Sequence, residues 1–187
     1  MKTYVKYDET KSSYSKLKTD DKELLDIITN SFKMLYEKDK YLINNKPYPE
    51  NTDQNTYVEI GKLHHVGERS IVFRFGYYLQ KQLEKSTYKN YNVDCEYNRN
   101  GENAKKLNEE HEKGVYPDII IHTRSINDNN LLVMEFKTYW NKDTSKDKEK
   151  IEALMSPDKP YKYKYGMSVV IDTEYASVET VDQCPSL

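Results

Sequence analysis

The sequence predicts an α/β protein, a central mixed sheet with helices on both faces. Three observations predict it. Apolar residues recur at helical spacing in two long early segments and one short later one. Between and after these stand short aliphatic or alternating runs of strand length. The runs are linked in two ways, by a turn-rich hairpin connection at residues 125–130 and by a helical crossover, so the sheet holds both antiparallel and parallel pairs.

In chain order, residues 1–19 are rich in Lys, Ser, Thr and Tyr without periodicity, and predict a mobile or loosely docked arm. Leu24, Leu25, Ile27, Ile28, Phe32, Leu35, Tyr36 and Leu42 follow Asp20 and Asp21, whose acids suit a helix N-terminus, so a helix is expected from Asp20 to about Ile43. Residues 44–56 hold two prolines and four asparagines and mark a boundary or long loop. A second helix is expected over residues 65–85, with Ile71, Val72, Phe75, Tyr78, Leu79 and Leu83 as its apolar stripe. Val93, Cys95 and Tyr97 alternate with Asp94, Glu96 and Asn98 as a half-polar strand. Residues 100–113 read as a loop with some helix. Two strands follow at 116–123 and 131–139, then a third helix over 146–155, capped by Thr144 or Ser145. A last central strand spans 163–172, with 177–181 as an added edge. The division expected is 1–64 as an N-terminal arm, helix and loop packed on a core of 65–187.

With 187 residues the chain is long enough for one hydrophobic core. Its 32% charged residues and 18 tyrosines place much apolar surface on rings with a polar tip. A net charge of -2 excludes a global attraction to nucleic acid, so phosphate binding has to come from local asymmetry. Residues 62–89 supply some, with six Lys or Arg against Glu68 and Glu84. Cys95 and Cys184 form no disulfide framework, the opening residues are polar, and no aliphatic run approaches a membrane span; a cytoplasmic protein without membrane contact is expected.

The chemistry concentrates in residues 115–140. Strand alternation puts Leu131, Val133, Glu135 and Lys137 on one side and Leu132, Met134, Phe136 and Thr138 on the other. A charged pair ending an otherwise apolar face persists only if it pairs, meets solvent in a cleft, or binds an ion. On the neighbouring strand Asp118 precedes three isoleucines, again an acid at the margin of a core. Two hard oxygen ligands with open positions suit Mg²⁺ or Mn²⁺ and substrate phosphate oxygens. Lys137 would position or help deprotonate an attacking water and stabilise charge in the transition state. Glu68 lies four residues before Val72, on the inward face of its helix, where it can hold a metal-bound water or a second ion; it also suits the helix dipole simply as a first-turn acid.

These residues, Pro117-Asp118 followed by Glu135-Phe136-Lys137 with Glu68 on the preceding helix, resemble the PD-(D/E)xK nuclease superfamily of restriction-endonuclease-like fold. The order helix, three strands, helix, strand from His65 to Asp172 is similar to its αβββαβ core, and the resemblance leaves the first 64 residues unexplained. It implies metal-dependent phosphodiester hydrolysis, with Asp118, Glu135 and the Phe136 carbonyl as metal ligands and Lys137 beside the nucleophilic water. A DNA endonuclease is the expected activity, and a homodimer is one expected assembly. The alternatives are a catalytically silent module of the same fold, binding nucleic acid or protein, and an unrelated α/β protein in which Glu135 and Lys137 form a buried ion pair. Glu96 either faces the site or belongs to a solvated face, and His64 and His65 either touch phosphate or are surface. The segment 159–165 alternates bases with rings; Lys159, Lys162 and Lys164, with Arg69, are the candidate nucleic-acid contacts, against an edge strand with its lysines in water.

Overall fold

The computed structural model describes residues 2–6, 21–44, 53, 55–56, 66–107 and 114–182. It is a mixed α/β structure. Strands β1 (Lys2–Lys6), β2 (Asn92–Cys95), β5 (Ile119–His122), β6 (Leu132–Thr138), β7 (Tyr165–Ile171) and β8 (Tyr175–Val181) form one sheet in the order β1-β8-β7-β6-β5-β2. Within it β6 and β7 run parallel and every other pair is antiparallel. Two short strands, β3 (Arg99–Asn100) and β4 (Asn103–Ala104), make a separate hairpin where the sequence predicts a loop with some helix.

On one face lie α1 (Lys22–Lys38) and α3 (Glu68–Leu83), with the short α2 (Lys40–Ile43) beside them; on the other lies α4 (Ser145–Met155). Helix α1 starts where Asp21 accepts a hydrogen bond from the Leu24 N–H at 3.0 Å, and buries Leu24, Ile27, Ile28, Phe32 and Leu35. The single helix expected to Ile43 is broken at Asp39, which leaves helical geometry (φ -127, ψ 23). Its carboxylate instead accepts from Arg74 Nε at 2.8 Å and from the Tyr78 hydroxyl, binding the break to α3. Phe32, Phe75 and Phe136 then join α1, α3 and β6, with centroids 4.4 Å apart for Phe32 and Phe75 and 5.1 Å for Phe75 and Phe136. That cluster fixes the facing of β6: Phe136 points into the α1/α3 core, so Glu135 and Lys137 point toward α4. Leu131, just ahead of the strand, breaks the expected alternation and packs in the α1/α3 core.

Two further expectations are corrected. Residues 2–6, expected within a mobile or loosely docked arm, are docked as β1 and pair with β8 from Lys2 opposite Glu179 to Lys6 opposite Tyr175, so β8, expected as an edge, is not one. A polar segment with no alternation is ordered by an open sheet edge, which supplies the backbone partners its sequence does not advertise. At α4, Thr144 occupies the cap position without a side-chain bond, and Asp143 takes the capping role by accepting from the Ser145 N–H at 3.1 Å and its hydroxyl at 2.7 Å.

Helix α4 sits so close to β7 that a Cβ at Gly166 would stand 2.3 Å from both Ile151 Cγ2 and Met155 Sδ. Gly166→Ala is expected to destabilise the fold by about 1–3 kcal/mol in thermal denaturation, since α4 must move outward to admit the methyl. Asp94, expected on a solvated face, is tied instead to Arg124 (2.6 and 2.8 Å) and to the buried His122 (2.8 Å). Burial pushes its carboxyl up, but the hydrogen bonds from Arg124 and His122 more than offset this and hold it well below the usual range. A depressed carboxylate stabilises the fold above its unfolded pKa and loses that contribution as pH falls. Asp94→Ala is therefore expected to cost about 1–3 kcal/mol at pH 7 and progressively less below about pH 4, measured by urea denaturation across pH.

Candidate active site

The hairpin register places the two central acids against each other. Ile120 pairs with Val133 and Ile119 with Met134, so one further step sets Asp118 opposite Glu135. Opposed side chains on adjacent antiparallel strands lie roughly 5 Å apart at Cβ, which makes this a like-charge pair held on the α4 face. The ladder ends there: the Phe136 N–H is taken by the Asp118 carboxylate at 2.7 Å. A strand residue's N–H and C=O point to the same neighbour, so the Phe136 carbonyl also faces the Asp118 side.

Helix α4 brings two residues that strand reasoning did not single out. Lys150 donates to Glu135 Oε2 at 2.7 Å and to the Tyr116 carbonyl at 2.8 Å. Asp147 Oδ2 lies 3.1 Å from Lys137 Nζ, an ion pair whose angles fall short of a hydrogen bond. The ion pairs are thus Glu135 with Lys150 and Lys137 with Asp147, not Glu135 with Lys137. A signal for both was present in the sequence. Asp147 is four residues before Ile151 and Lys150 four before Leu154, the spacing that marked Glu68 as inward-facing.

Glu68 opens α3 behind Gly67, whose φ of 114 suits the chain's entry into the helix. Its carboxyl is raised chiefly by burial, lowered by Lys137 and raised again by Asp118 and Asp147, which places it in the same electrostatic cluster. Burial likewise raises Asp118, against the Phe136 N–H, Lys150 and Lys137. Glu135, its side chain only 3% exposed, is pushed up to about 8 by burial and then by Asp118, despite Lys150. For Lys137 burial lowers the ammonium, but Asp147, Glu68 and Asp118 outweigh it and leave it above its ordinary value.

Buried acids that resist ionisation beside one another are a site that gains from an added cation. Glu135 Oε1 is buried with no hydrogen-bond partner, an unfilled acceptor on the face Asp118 shares. The donor set, carboxylates and a backbone carbonyl, matches a hard divalent ion. Among the described residues no three His, Cys, Asp or Glu side chains are gathered as a ready-made metal cluster, and Asp118 and Glu135 each accept from a protein donor on one oxygen.

Beside these acids opens a cavity of about 220 Å³ lined by Glu68, Asp118, Arg69, Glu96 and Phe73. Glu96 sits at its rim, paired with Arg69 at 2.7 Å. Cys95 also lines it, but partial burial with Asp94, Asp118 and Glu96 pushes its thiol up to about 11, so it is no thiolate nucleophile.

The other candidate nucleic-acid contacts lie elsewhere. Tyr165 pairs with Leu132 at the start of β6, while Lys137 lies five residues further on, about 17 Å along the strand. The segment carrying Lys159, Lys162 and Lys164 is therefore at the opposite end of the sheet from Lys137. Its rings are no stacking surface: Tyr161 and Tyr163 are buried, packed with Tyr97 around the ammonium of Lys105, which donates to the Tyr163 hydroxyl at 2.9 Å. Alternation signalled a half-buried segment, and only packing could show which half was rings. His64 and His65 lie outside the described residues. Among the described residues no helix is long and apolar enough to cross a membrane.

Comparison with known proteins returns no match: no family model, no curated protein and no solved structure is similar to this chain.

Proposed function

We propose that this chain is a divalent-metal-dependent nuclease of restriction-endonuclease-like fold, hydrolysing phosphodiester bonds in nucleic acid, with DNA the preferred substrate. The observation that carries the reading is the juxtaposition, one step beyond the β5–β6 ladder, of the half-buried Asp118 and the buried Glu135, each raising the other's need for a cation, with an unpartnered Glu135 oxygen and Glu68 and Lys137 beside them. The element order α3, β2, β5, β6, α4, β7 supports the fold assignment.

Asp118, Glu135 and the Phe136 carbonyl would hold Mg²⁺ or Mn²⁺, with Glu68 on a bound water. Such an ion acidifies water and neutralises charge developing on phosphorus. Lys137, kept cationic by its acidic neighbours, acts as a fixed positive charge that orients the nucleophile and stabilises the transition state, rather than as a base. Asp147 holds Lys137 in place, and Lys150 holds Glu135.

One observation favours a second reading, a catalytically silent nucleic-acid-binding or protein-interaction module: both Glu135 and Lys137 already have counter-charges from α4. Incubation with single-stranded, duplex and branched DNA in Mg²⁺ or Mn²⁺ separates the two. Metal-dependent cleavage abolished by EDTA is expected; intact substrates throughout would leave the silent module.

A further inference from the structure

Within α3 the exposed residues are Arg69, Phe73, Tyr77 and Lys81, each four residues after the last. That spacing makes one continuous ladder of side chains, basic at both ends and aromatic in the middle, with no acid among its members. Phe73 is 62% and Tyr77 41% exposed. Single exposed rings are ordinary, but two on successive turns of one helix face, between cations, form a surface suited to a partner. Lys81 Nζ lies 4.6 Å and Arg74 Cζ 5.1 Å from the centre of the Tyr77 ring, so positive charge accompanies the rings directly. Arg69 is held by Glu96, but its side chain is 88% exposed, and so open an ion pair is readily exchanged for a phosphate. The ladder begins at the acids, since Arg69 and Phe73 line the cavity that holds Glu68 and Asp118.

We propose that this ladder is a stacking platform for an unpaired stretch of nucleic-acid strand, leading it toward Asp118 and Glu135. The identity of the ligand rests on the nuclease reading above. Rings on a convex helix need the flat faces of bases, which a duplex hides within its own stack, whereas an unpaired strand offers face and phosphate together. Successive ladder residues stand about 6 Å apart along the helix axis, close to the nucleotide spacing of an extended strand. A second copy of the chain is a poor occupant: a two-fold contact would set Arg69 and Lys81 of one ladder against the same cations of the other.

Fluorescence anisotropy in EDTA, where no cleavage occurs, tests this with a labelled 12-nucleotide deoxythymidine strand and a hairpin duplex of equal phosphate number. Wild type should favour the single strand. Phe73→Ala/Tyr77→Ala should weaken single-strand binding by about 10-fold or more while leaving the duplex within twofold. Phe73→Leu/Tyr77→Leu, which keeps apolar bulk and so guards against a folding defect, should be as weak as the alanine variant. Arg69→Ala/Lys81→Ala should weaken both ligands and reduce the single-strand salt slope by about 1.4. Equal affinity of wild type for the two ligands, or leucine variants binding like wild type, overturns the proposal. So does a wild-type dimer in sedimentation that Phe73→Ala/Tyr77→Ala dissolves. If wild type cleaves nothing yet Asp118→Asn protein keeps the single-strand preference, the platform stands and the nuclease reading falls. If wild type cleaves and the ring variants bind and cleave as it does, the nuclease reading stands and the platform falls.

Discussion

On the proposed nuclease reading, Asp118→Asn and Glu135→Gln are each expected to cripple metal-dependent cleavage, with kcat/KM falling on the order of 10³-fold, about 4 kcal/mol of transition-state stabilisation. An amide keeps the shape of either side chain and its carbonyl acceptor, so the Phe136 N–H and Lys150 retain a partner. What is lost is the charge that would hold a divalent ion. Stability should move the other way. Asp118 and Glu135 are opposed like charges in a buried place, and neutralising one relieves the repulsion. Glu135→Gln is therefore expected to match or exceed wild-type stability, by about 1 kcal/mol at pH 9. Single-turnover cleavage beside thermal melts at pH 6 and pH 9 checks both halves. A group retained for function at the expense of stability shows this opposite movement. If Glu135→Gln were instead destabilising by several kcal/mol, Glu135 would be half of a structural ion pair, and the nuclease reading would lose its main support.

Lys150→Met is expected to destabilise the protein by an amount that depends on pH. The 2.7 Å contact joins a side chain 22% exposed to one 3% exposed, so losing the ammonium leaves Glu135 in a poorly solvated place without its cation. At pH 5 Glu135 is protonated in both proteins, and the loss is one hydrogen bond from a charged donor, about 1 kcal/mol. The sign of the pH dependence follows from the direction of the shift. A carboxyl raised to about 8 favours the fold most below its unfolded pKa, and that advantage is lost as pH climbs through the folded value. Removing Lys150 raises the folded value further, with Asp118 and Asp147 still acting on Glu135. The deficit should thus stay near its pH 5 value up to about pH 8 and widen only above it, by at most about 1.4 kcal/mol per pH unit, to about 2–2.5 kcal/mol at pH 9. Chemical denaturation at pH 5, 7 and 9 measures it, and a deficit independent of pH would show that Lys150 does not carry Glu135's charge.

Much of the architecture was legible in local pattern. Period-two alternation set Glu135 and Lys137 on one side of their strand and Phe136 on the other, and helical spacing turned Glu68 inward; the packing of Phe136 and the electrostatics of Glu68 agree. Less legible were features whose cause lies far away in sequence. The helix break at Asp39 is made by Arg74 and Tyr78, and β1 is ordered by β8 at the other end of the chain. Tyr161 and Tyr163 alternate with lysines as a stacking surface would, yet the exposed rings that fit that role stand on α3 at Phe73 and Tyr77. A ring's periodicity says only that it shares a face, and what covers that face is settled by the neighbouring element.

By itself the sequence determined the mixed helix and strand order, the hairpin that carries Asp118 and Glu135, and the common side of Glu135 and Lys137, because those follow from backbone geometry repeated over a few residues. Only the tertiary structure decided which charges meet. Helix α4 crosses the face of β6 and delivers Asp147 to Lys137 and Lys150 to Glu135. Pairing in a buried site is set by distance between elements, and no local period encodes that distance.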